Sequence, residues 1–551
     1  MGGGAVTGIE PRNPRVDKER LAAWKRAGFR TEQTLGHLLE DSATRWPTRI
    51  AAVTERQQVT FGELAARSRQ IAAALVSGGV RGGDVVCWML PTGPDAIAVA
   101  AAIWRIGAVS SPLVPIYGLR EIKAVLEQVR PAAIVTTGNP SRRSHPDEFL
   151  EACREVDVRP AALLLVNGKH PGWRAISDER GGSVPSGVLP SAANDPALVL
   201  FTSGTESEPK GVLHSVAGLT HELRSTVTGW GLTFRDRMVM ASPMTHITGL
   251  LQGFMIPAQV GAAAILMERW DAERCVELIE EHGATYMAGA TPFLRELAQA
   301  YANAGRDRST LVQYCCGGAS VPPALIRSVE ALGIKAYRAW GMTELPTATM
   351  PNELDSVEDR SETDGRLAPG VELKVADEAG KPVPAGEIGE LFLRGPEMML
   401  GYVRRNLDDT AFTMNGWMRT GDRGWVDDRG QVTVTGRLKD IINRGGEKFS
   451  IREIEEAVAR HPEVSQVAVV AVPGGRLGER VGAAVVSSRT DLSVDEIGTA
   501  VIEAGLARQK RPEIVTVVES LPTNATGKID RKALALMLAG KSEDGRKGPV
   551  V

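Results

Sequence analysis

From about residue 33 to residue 300 the chain alternates short runs rich in Val, Ile and Ala with longer stretches of helical period: VVCWML (85–90), then Pro94 to Ile106, then AAIVTTG (132–138). A strand followed by a helix long enough to cover it is the βα unit, which builds mostly parallel sheets dressed with helices. Between 371 and 435 the texture changes to VELKVAD, GELFLRG and GQVTVTG, alternating strands set off by Gly, Pro and Asp turns. These predict a small antiparallel sheet or barrel. Beyond Gly436 come strand-like DIINR, a GGEK turn, and Ser450 with Glu453 spaced as a capping box that opens a helix at Ile451. Ser493 and Glu496 repeat the device, and VSQVAVVAV (464–472) and VGAAVVSS (481–488) add strands. The expected fold is α/β: a large N-terminal domain, 1–436, of mixed, mostly parallel sheets plus the antiparallel β-subdomain, then a small α+β domain, 437–538. Polar residues 539–551 read as a disordered tail.

With 551 residues and 43% hydrophobic side chains, the chain can build sizeable cores. Lys and Arg number 64 against 67 Asp and Glu, a formal charge of -3, so no electrostatic footprint for nucleic acid or an anionic membrane exists. Five cysteines without CxxC spacing argue against a disulfide framework and a zinc site, and fit a reducing cytoplasm. The N-terminus MGGGAVTGIEPRN lacks the basic start and apolar core of a signal peptide. The most apolar run, Ala96 to Trp104, stops at Arg105, about half the ~20 residues a membrane span needs.

The stretch FTSGTESEPKG, Phe201 to Gly211, follows the apolar run Ala197-Leu198-Val199-Leu200 and gathers hydroxyls, glycines and a lysine. Backbone N–H groups in such a turn, with one ammonium, form an anion cradle. A P-loop is disfavoured, because Lys210 is followed by Gly211 instead of the hydroxyl that would hold Mg²⁺. Glu206 and Glu208 count against a phosphate grip.

Five segments occur in order: TSGTESEPKG, HITG (246–249), YRAWGMTE (337–344), RTGDRGWVDDRG (419–430) followed by GRLKD (436–440), and NATGKIDR (524–531). Together they resemble the adenylate-forming superfamily of acyl-CoA ligases, luciferases and peptide-synthetase adenylation domains, over roughly residues 35 to 535. TSGTE, AGATPF, CCGGASVP, TDGRLAPGVELKV and RLGER are most similar to the short-chain and alicyclic, cyclohexanecarboxylate-type, acyl-CoA ligase branch.

The resemblance implies a two-step reaction in which a carboxylate attacks ATP to give an acyl-adenylate and CoA then displaces AMP. It places Lys528 at the carboxylate and α-phosphate, where a desolvated ammonium stabilises developing charge. Thr202, Ser203, Gly204, Thr205 and Lys210 would hold phosphates, and Thr343 and Glu344 the α-phosphate and a Mg²⁺ ion. Gly317, Gly318 and Ala319 would lie against adenine or the acyl group, with Tyr337, Trp340, Gly341 and Met342 beside the nucleotide. Asp422 would accept both ribose hydroxyls and Arg437 would reach the same sugar. His246 would line the acyl pocket and its opening to CoA. Lys439 would be the hinge of a mobile cap, whose rotation replaces Lys528 with the face of Arg444, Gly445 and Gly446. The Cys315-Cys316 pair reads as core packing, and the acidic stretch from Glu353 to Asp364 as a solvated loop.

The phosphate loop departs from the family pattern, since Ser207 replaces a glycine and Glu208 follows. A carboxylate ~6 Å from a phosphate, at an effective dielectric near 20, repels it by about 3 kcal/mol before screening. That penalty falls on adenylation, so two readings stay open: a complete ligase, or an enzyme that mainly thioesterifies a delivered acyl-adenylate. A silent adenylate-binding protein and transfer to a carrier-protein thiol in trans are the rivals. Ala- and Gly-rich MAGATPF (287–293), CCGGAS (315–320) and AWGM (339–342) suggest room for a bulky or alicyclic acid. Expected partners are that acid or its acyl-adenylate, ATP/AMP and CoA; a homodimer is left open.

Overall fold

The computed structural model describes residues 9, 12, 14–138, 143–178, 187–189, 191–202, 208–318, 321–352, 354–444, 447–474, 478–523 and 529–544, with backbone alone at 448 and 541–544. Two compact units emerge, Met1–Leu373 with Leu393–Met418, and Lys374–Phe392 with Arg419–Val551. This division differs from the expected border at 436/437. Residues 374–392 and 419–436 group with the C-terminal part, because the hairpin Met418–Val426/Val432–Arg437 carries on into it: the Arg452 guanidinium donates to the Val434 carbonyl.

Among the described residues, the first unit holds an eight-stranded and a seven-stranded sheet. In the eight-stranded sheet Pro196–Thr202, Val109–Pro112, Val85–Trp88, Ala133–Gly138, Ala162–Gly168 and Arg174–Ala175 run parallel, as the βα rhythm predicts. Two antiparallel strands, Lys210–Ser215 and Gly401–Tyr402, close its other edge. The seven-stranded sheet is parallel from Lys335–Ala339 through Gln313–Gly317, Tyr286–Ala290, Arg237–Met240 and Ala263–Leu266 to Ile50–Val53, with Gln58–Thr60 antiparallel at its end.

Strand alternation divides the cores. Val86 and Trp88 face the core between the two sheets, which Met238 and Met240 enter from the other side. Val85 and Cys87 point the opposite way, into a core with Ile122, Val125 and Phe149. The central core is filled by helix Phe61–Ser77, opened by a Thr60/Glu63 capping box, and by helix Pro94–Arg105, buried from Ala96 to Arg105. Arg105 is held by Glu40 at 2.5 Å, which allows a guanidinium there. No described helix is long and apolar enough to cross a membrane.

A four-stranded sheet, Glu372–Ala376, Gly389–Arg394, Met418–Val426 and Val432–Arg437, falls mostly in the second unit, which also holds a three-stranded sheet of Gln466–Pro473, Glu479–Val486 and Ile514–Val518. Ser450 caps helix Ile451–Val458 by accepting from the Glu453 N–H at 3.4 Å, while the Glu453 carboxylate takes Lys510 at 2.6 Å. The second capping box is complete: Ser493 Oγ accepts from Glu496 N at 3.1 Å and Glu496 accepts from Ser493 N at 2.9 Å.

Two sequence expectations are corrected. The acidic stretch is not a solvated loop: helix Val357–Glu362 forms behind a Ser356/Asp359 capping box, and buried Asp364 pairs with buried Arg338 at 3.1 Å. Glu353 lies outside the described residues. Helix Arg531–Asp544 runs past the expected start of the tail, because Leu534 and Leu538 anchor it on Ala468, Val470 and Val472. Residues 545–551 lie outside the described residues.

Ile97 is 2% exposed in the central core and Met414 fully exposed. Ile97→Ala is expected to cost about 2–5 kcal/mol and Met414→Ala less than about 0.5 kcal/mol, read from the urea midpoint of the unfolding transition.

Candidate active site

Strand Pro196–Thr202 leads into the hydroxyl-rich segment and Lys210–Ser215 leads out, paired antiparallel with Thr202 opposite Lys210 and Phe201 opposite Gly211. Thr202 and Lys210 are thus cross-strand partners of a β-hairpin at the two ends of the hydroxyl-rich segment. Ser203, Gly204 and Thr205 lie outside the described residues, as do Glu206 and Ser207. The exit is fixed: Gln128 Nε2 donates to the Pro209 carbonyl at 2.8 Å, and the Val403 N–H donates to Gly211 O at 2.7 Å. A Cβ on Gly211 would lie 2.8 Å from Val403 Cγ2, so glycine permits this strand approach.

Three groups meet at this edge. Lys210 Nζ lies 5.9 Å from the centroid of the Tyr402 ring, and the Tyr402 hydroxyl donates to Glu344 Oε1 at 2.7 Å. Burial and the Glu344 charge push the Tyr402 phenol up, keeping it a donor. Glu208 pairs with Arg404 at 2.6 Å. Tyr402 is anchored in turn by buried Asp408, which accepts from the Tyr402 N–H at 2.8 Å and pairs with Arg15 at 2.6 Å. The segment 401–408 thereby connects strand Lys210–Ser215 to Glu344.

Thr343 and Glu344 sit in a tight loop after strand Lys335–Ala339. Met342 and Leu345 exchange backbone hydrogen bonds at 3.0 and 3.1 Å, and Trp340 N donates to Thr349 Oγ1 at 2.9 Å. A Cβ on Gly341 would fall 2.0 Å from Pro346 O, so no larger residue fits this turn. A buried polar floor supports it. His214 Nε2–H donates to Thr343 O at 2.8 Å, and Glu222 accepts from Thr347 Oγ1 at 2.6 Å and Thr226 Oγ1 at 3.0 Å. Burial pushes His214 and His221 down to about 4 and the Glu222 and Glu397 carboxyls up, favouring four uncharged groups.

Small residues line the C-terminal ends of three adjacent parallel strands. The register pairs Ala288 with Cys315, Gly289 with Cys316, Ala290 with Gly317, and Gly317 with Ala339. Ligands of open parallel sheets bind beyond such ends. A Cβ on Gly317 would lie 2.7 Å from Ala339 O, and Gly318 takes a left-handed φ of 79°. Ala319 lies outside the described residues. Tyr337 does not face this edge freely: its ring is buried against Trp230 at 5.5 Å and under Arg360 at 5.2 Å. Trp340 is also buried. His246 is half-buried and begins helix Ile247–Leu250, which widens to an i→i+5 turn at Leu251–Met255. Burial pushes the Cys315 and Cys316 thiols up to about 12, so neither is a ready nucleophile.

The second unit carries the remaining expected residues. Asp422, buried, and Arg437, exposed, are direct cross-strand partners, with Arg437 Nε 3.3 Å from Asp422 Oδ1. Lys439 is exposed, three residues past Gly436, and Arg444 pairs with Glu513 at 3.0 Å. Gly445, Gly446 and Lys528 lie outside the described residues. Among the described residues no group of three or more His, Cys, Asp or Glu side chains gathers as a metal cage.

His214, Glu222, Tyr402 and Arg404 were missed by sequence reasoning. His214 lies four residues after Lys210 within one strand; Tyr402 and Arg404 find Glu344 and Glu208 far away in the chain, and Glu222 joins a local partner, Thr226, to a remote one, Thr347.

The family model for AMP-binding enzymes matches residues 39–403, and that for the AMP-binding enzyme C-terminal domain matches residues 453–528. A medium-chain fatty-acid–CoA ligase of Escherichia coli is 31% identical over 94% of this chain and 92% of its own length. A salicylyl-CoA synthase/salicylate adenylyltransferase of a Streptomyces species is 30% identical over 96% and 97%. Among solved structures, ATP-bound MatB from Rhodopseudomonas palustris superposes with a TM-score of 0.81 at 26% identity, covering 92% of this chain and 99% of that one. The hairpin that carries Lys210, the tight turn that carries Glu344 and the separate second unit thus have a common explanation: the chain belongs to the AMP-binding enzyme family and is an adenylate-forming enzyme.

Proposed function

We propose that the chain is an AMP-forming acyl-CoA ligase acting on a bulky or alicyclic carboxylic acid. In its first step a carboxylate oxygen attacks the α-phosphorus of ATP and pyrophosphate leaves. In its second the CoA sulfur, its proton lost, attacks the acyl carbonyl carbon; the bond to the phosphate oxygen breaks and AMP leaves. The observation that carries this reading is the chain of contacts Lys210–Tyr402–Glu344, which joins two motifs more than a hundred residues apart at one sheet edge.

In this reading Thr202, Ser203, Gly204, Thr205 and Lys210 hold the phosphates, and Lys528 stabilises the charge that develops on the α-phosphate. Gly317, Gly318, Ala319, Trp340, Gly341 and Met342 form the nucleotide wall, with Tyr337 packed behind it, Asp422 and Arg437 take the ribose, and His246 borders the acyl group. Lys439 is the hinge of a C-terminal cap that brings Arg444, Gly445 and Gly446 round for the second step. Glu344 is an oxygen donor of the kind Mg²⁺ prefers, and Mg²⁺ is held by one or two carboxylates plus substrate phosphates. We assign Glu344 and Thr343 to that ion, which when bound neutralises phosphate charge. Small side chains at Ala290, Gly317 and Ala339 support a large acyl group. The cytoplasm is the compartment we infer, where the five cysteines, all free thiols, stay reduced. The Glu208–Arg404 pair favours the complete reaction over an enzyme confined to its second half, since one offending carboxylate is already neutralised.

The test is pyrophosphate exchange with ATP, Mg²⁺ and a panel of acids, run beside synthetic acyl-adenylate with CoA. Turnover in both is expected; turnover of acyl-adenylate alone would leave a half-enzyme, and none in either a binding protein. Tyr402→Phe removes a hydrogen bond to a charged acceptor and is expected to slow exchange by about tenfold to hundredfold, with the second step within about threefold of wild type. Half-buried Ala339→Leu is expected to shift kcat/KM from bulky toward small acids by about tenfold or more.

A further inference from the structure

Taken alone, the segment Glu206 to Lys210 sets two carboxylates against one ammonium, a poor host for a polyanion. The fold alters that balance. Gly401 and Tyr402 pair with Leu213 and Val212, and the Val403 N–H reaches Gly211 O at 2.7 Å, so the same antiparallel register carries Arg404 alongside Lys210. Its guanidinium meets Glu208 at 2.6 Å. The backbone that carries Arg404 is fixed as well: Arg12 donates to the Tyr402 and Val403 carbonyls at 2.6 and 3.1 Å, and Asp408 holds the Tyr402 N–H.

Both partners are part-exposed, so the pair adds little to folding stability. Its effect on a bound polyphosphate is another matter, because an unpaired carboxylate beside several phosphate charges acts on all of them. We propose that Arg404 is a positioning residue for ATP: it neutralises Glu208 beside Lys210, so that this acidic edge does not repel the β- and γ-phosphates. This rests on the ligase reading for its biological use. The device concerns only ligands that carry those two phosphates. AMP and acyl-adenylate lack them and are indifferent to it.

Equilibrium binding of Mg²⁺-ATP and of AMP to the full chain, with no acid or CoA present, reads the effect directly. Arg404→Gln is expected to weaken ATP by about tenfold while AMP stays within about twofold. Glu208→Gln/Arg404→Gln, which removes the exposed charge, is expected to return ATP to within about threefold of wild type, as is charge-conserving Arg404→Lys. A merely structural role for Arg404 would weaken both nucleotides and would not be rescued by the second substitution. ATP affinity unchanged in Arg404→Gln, equal weakening of ATP and AMP, or a double variant as weak as the single one would each overturn the proposal. None of these results depends on which acid is activated, so failure of the ligase reading, seen as absent turnover in both half-reactions, is a separate outcome.

Discussion

Among the described residues, the candidate-site side chains of the first unit depend on how one sheet is finished. Six parallel strands end at Pro196–Thr202, and from there the edge is completed by Lys210–Ser215 and the two-residue strand Gly401–Tyr402, both antiparallel. A parallel neighbour would have needed a helical crossover; an antiparallel one needs only a hairpin. The short strand then brings in residues from the far end of the unit. Tyr402 and Glu344 meet because backbone pairing leaves Tyr402 no other place to be.

Much of this organisation is legible in the sequence, and the reason is periodicity. Strand runs such as VVCWML are buried on both faces, so their continuous apolarity announces a covered parallel sheet, and Ser493 with Glu496 announces a helix start because that device is local. The acidic stretch 354–364 fails for the opposite reason. Its charges look solvated in one dimension, yet Asp364 and Arg360 are buried by partners on the strand Lys335–Ala339, whose Arg338 and Ala336 receive them. The helical run to Asp544 was equally hidden, since two leucines docked on a distant strand decide it.

The site divides in the same way. Residues whose role follows from backbone shape, Gly211, Gly317 and Gly341, are marked by being glycine in a recognisable setting, and the geometry confirms that a side chain would collide at each. Residues whose role is to hold another residue carry no local mark. Glu208 shows the danger most clearly: its charge is plain in the sequence, its counter-charge is almost two hundred positions away, and only register puts them side by side.

The polar floor under Thr343 has a consequence of its own. His214, His221, Glu222 and Glu397 are all driven toward their uncharged forms by burial. Burial thus biases the base of this turn toward dipoles over formal charges, and its hydrogen bonds hold those dipoles in place. Substitutions in the turn above it then act against a base that burial leans away from charge.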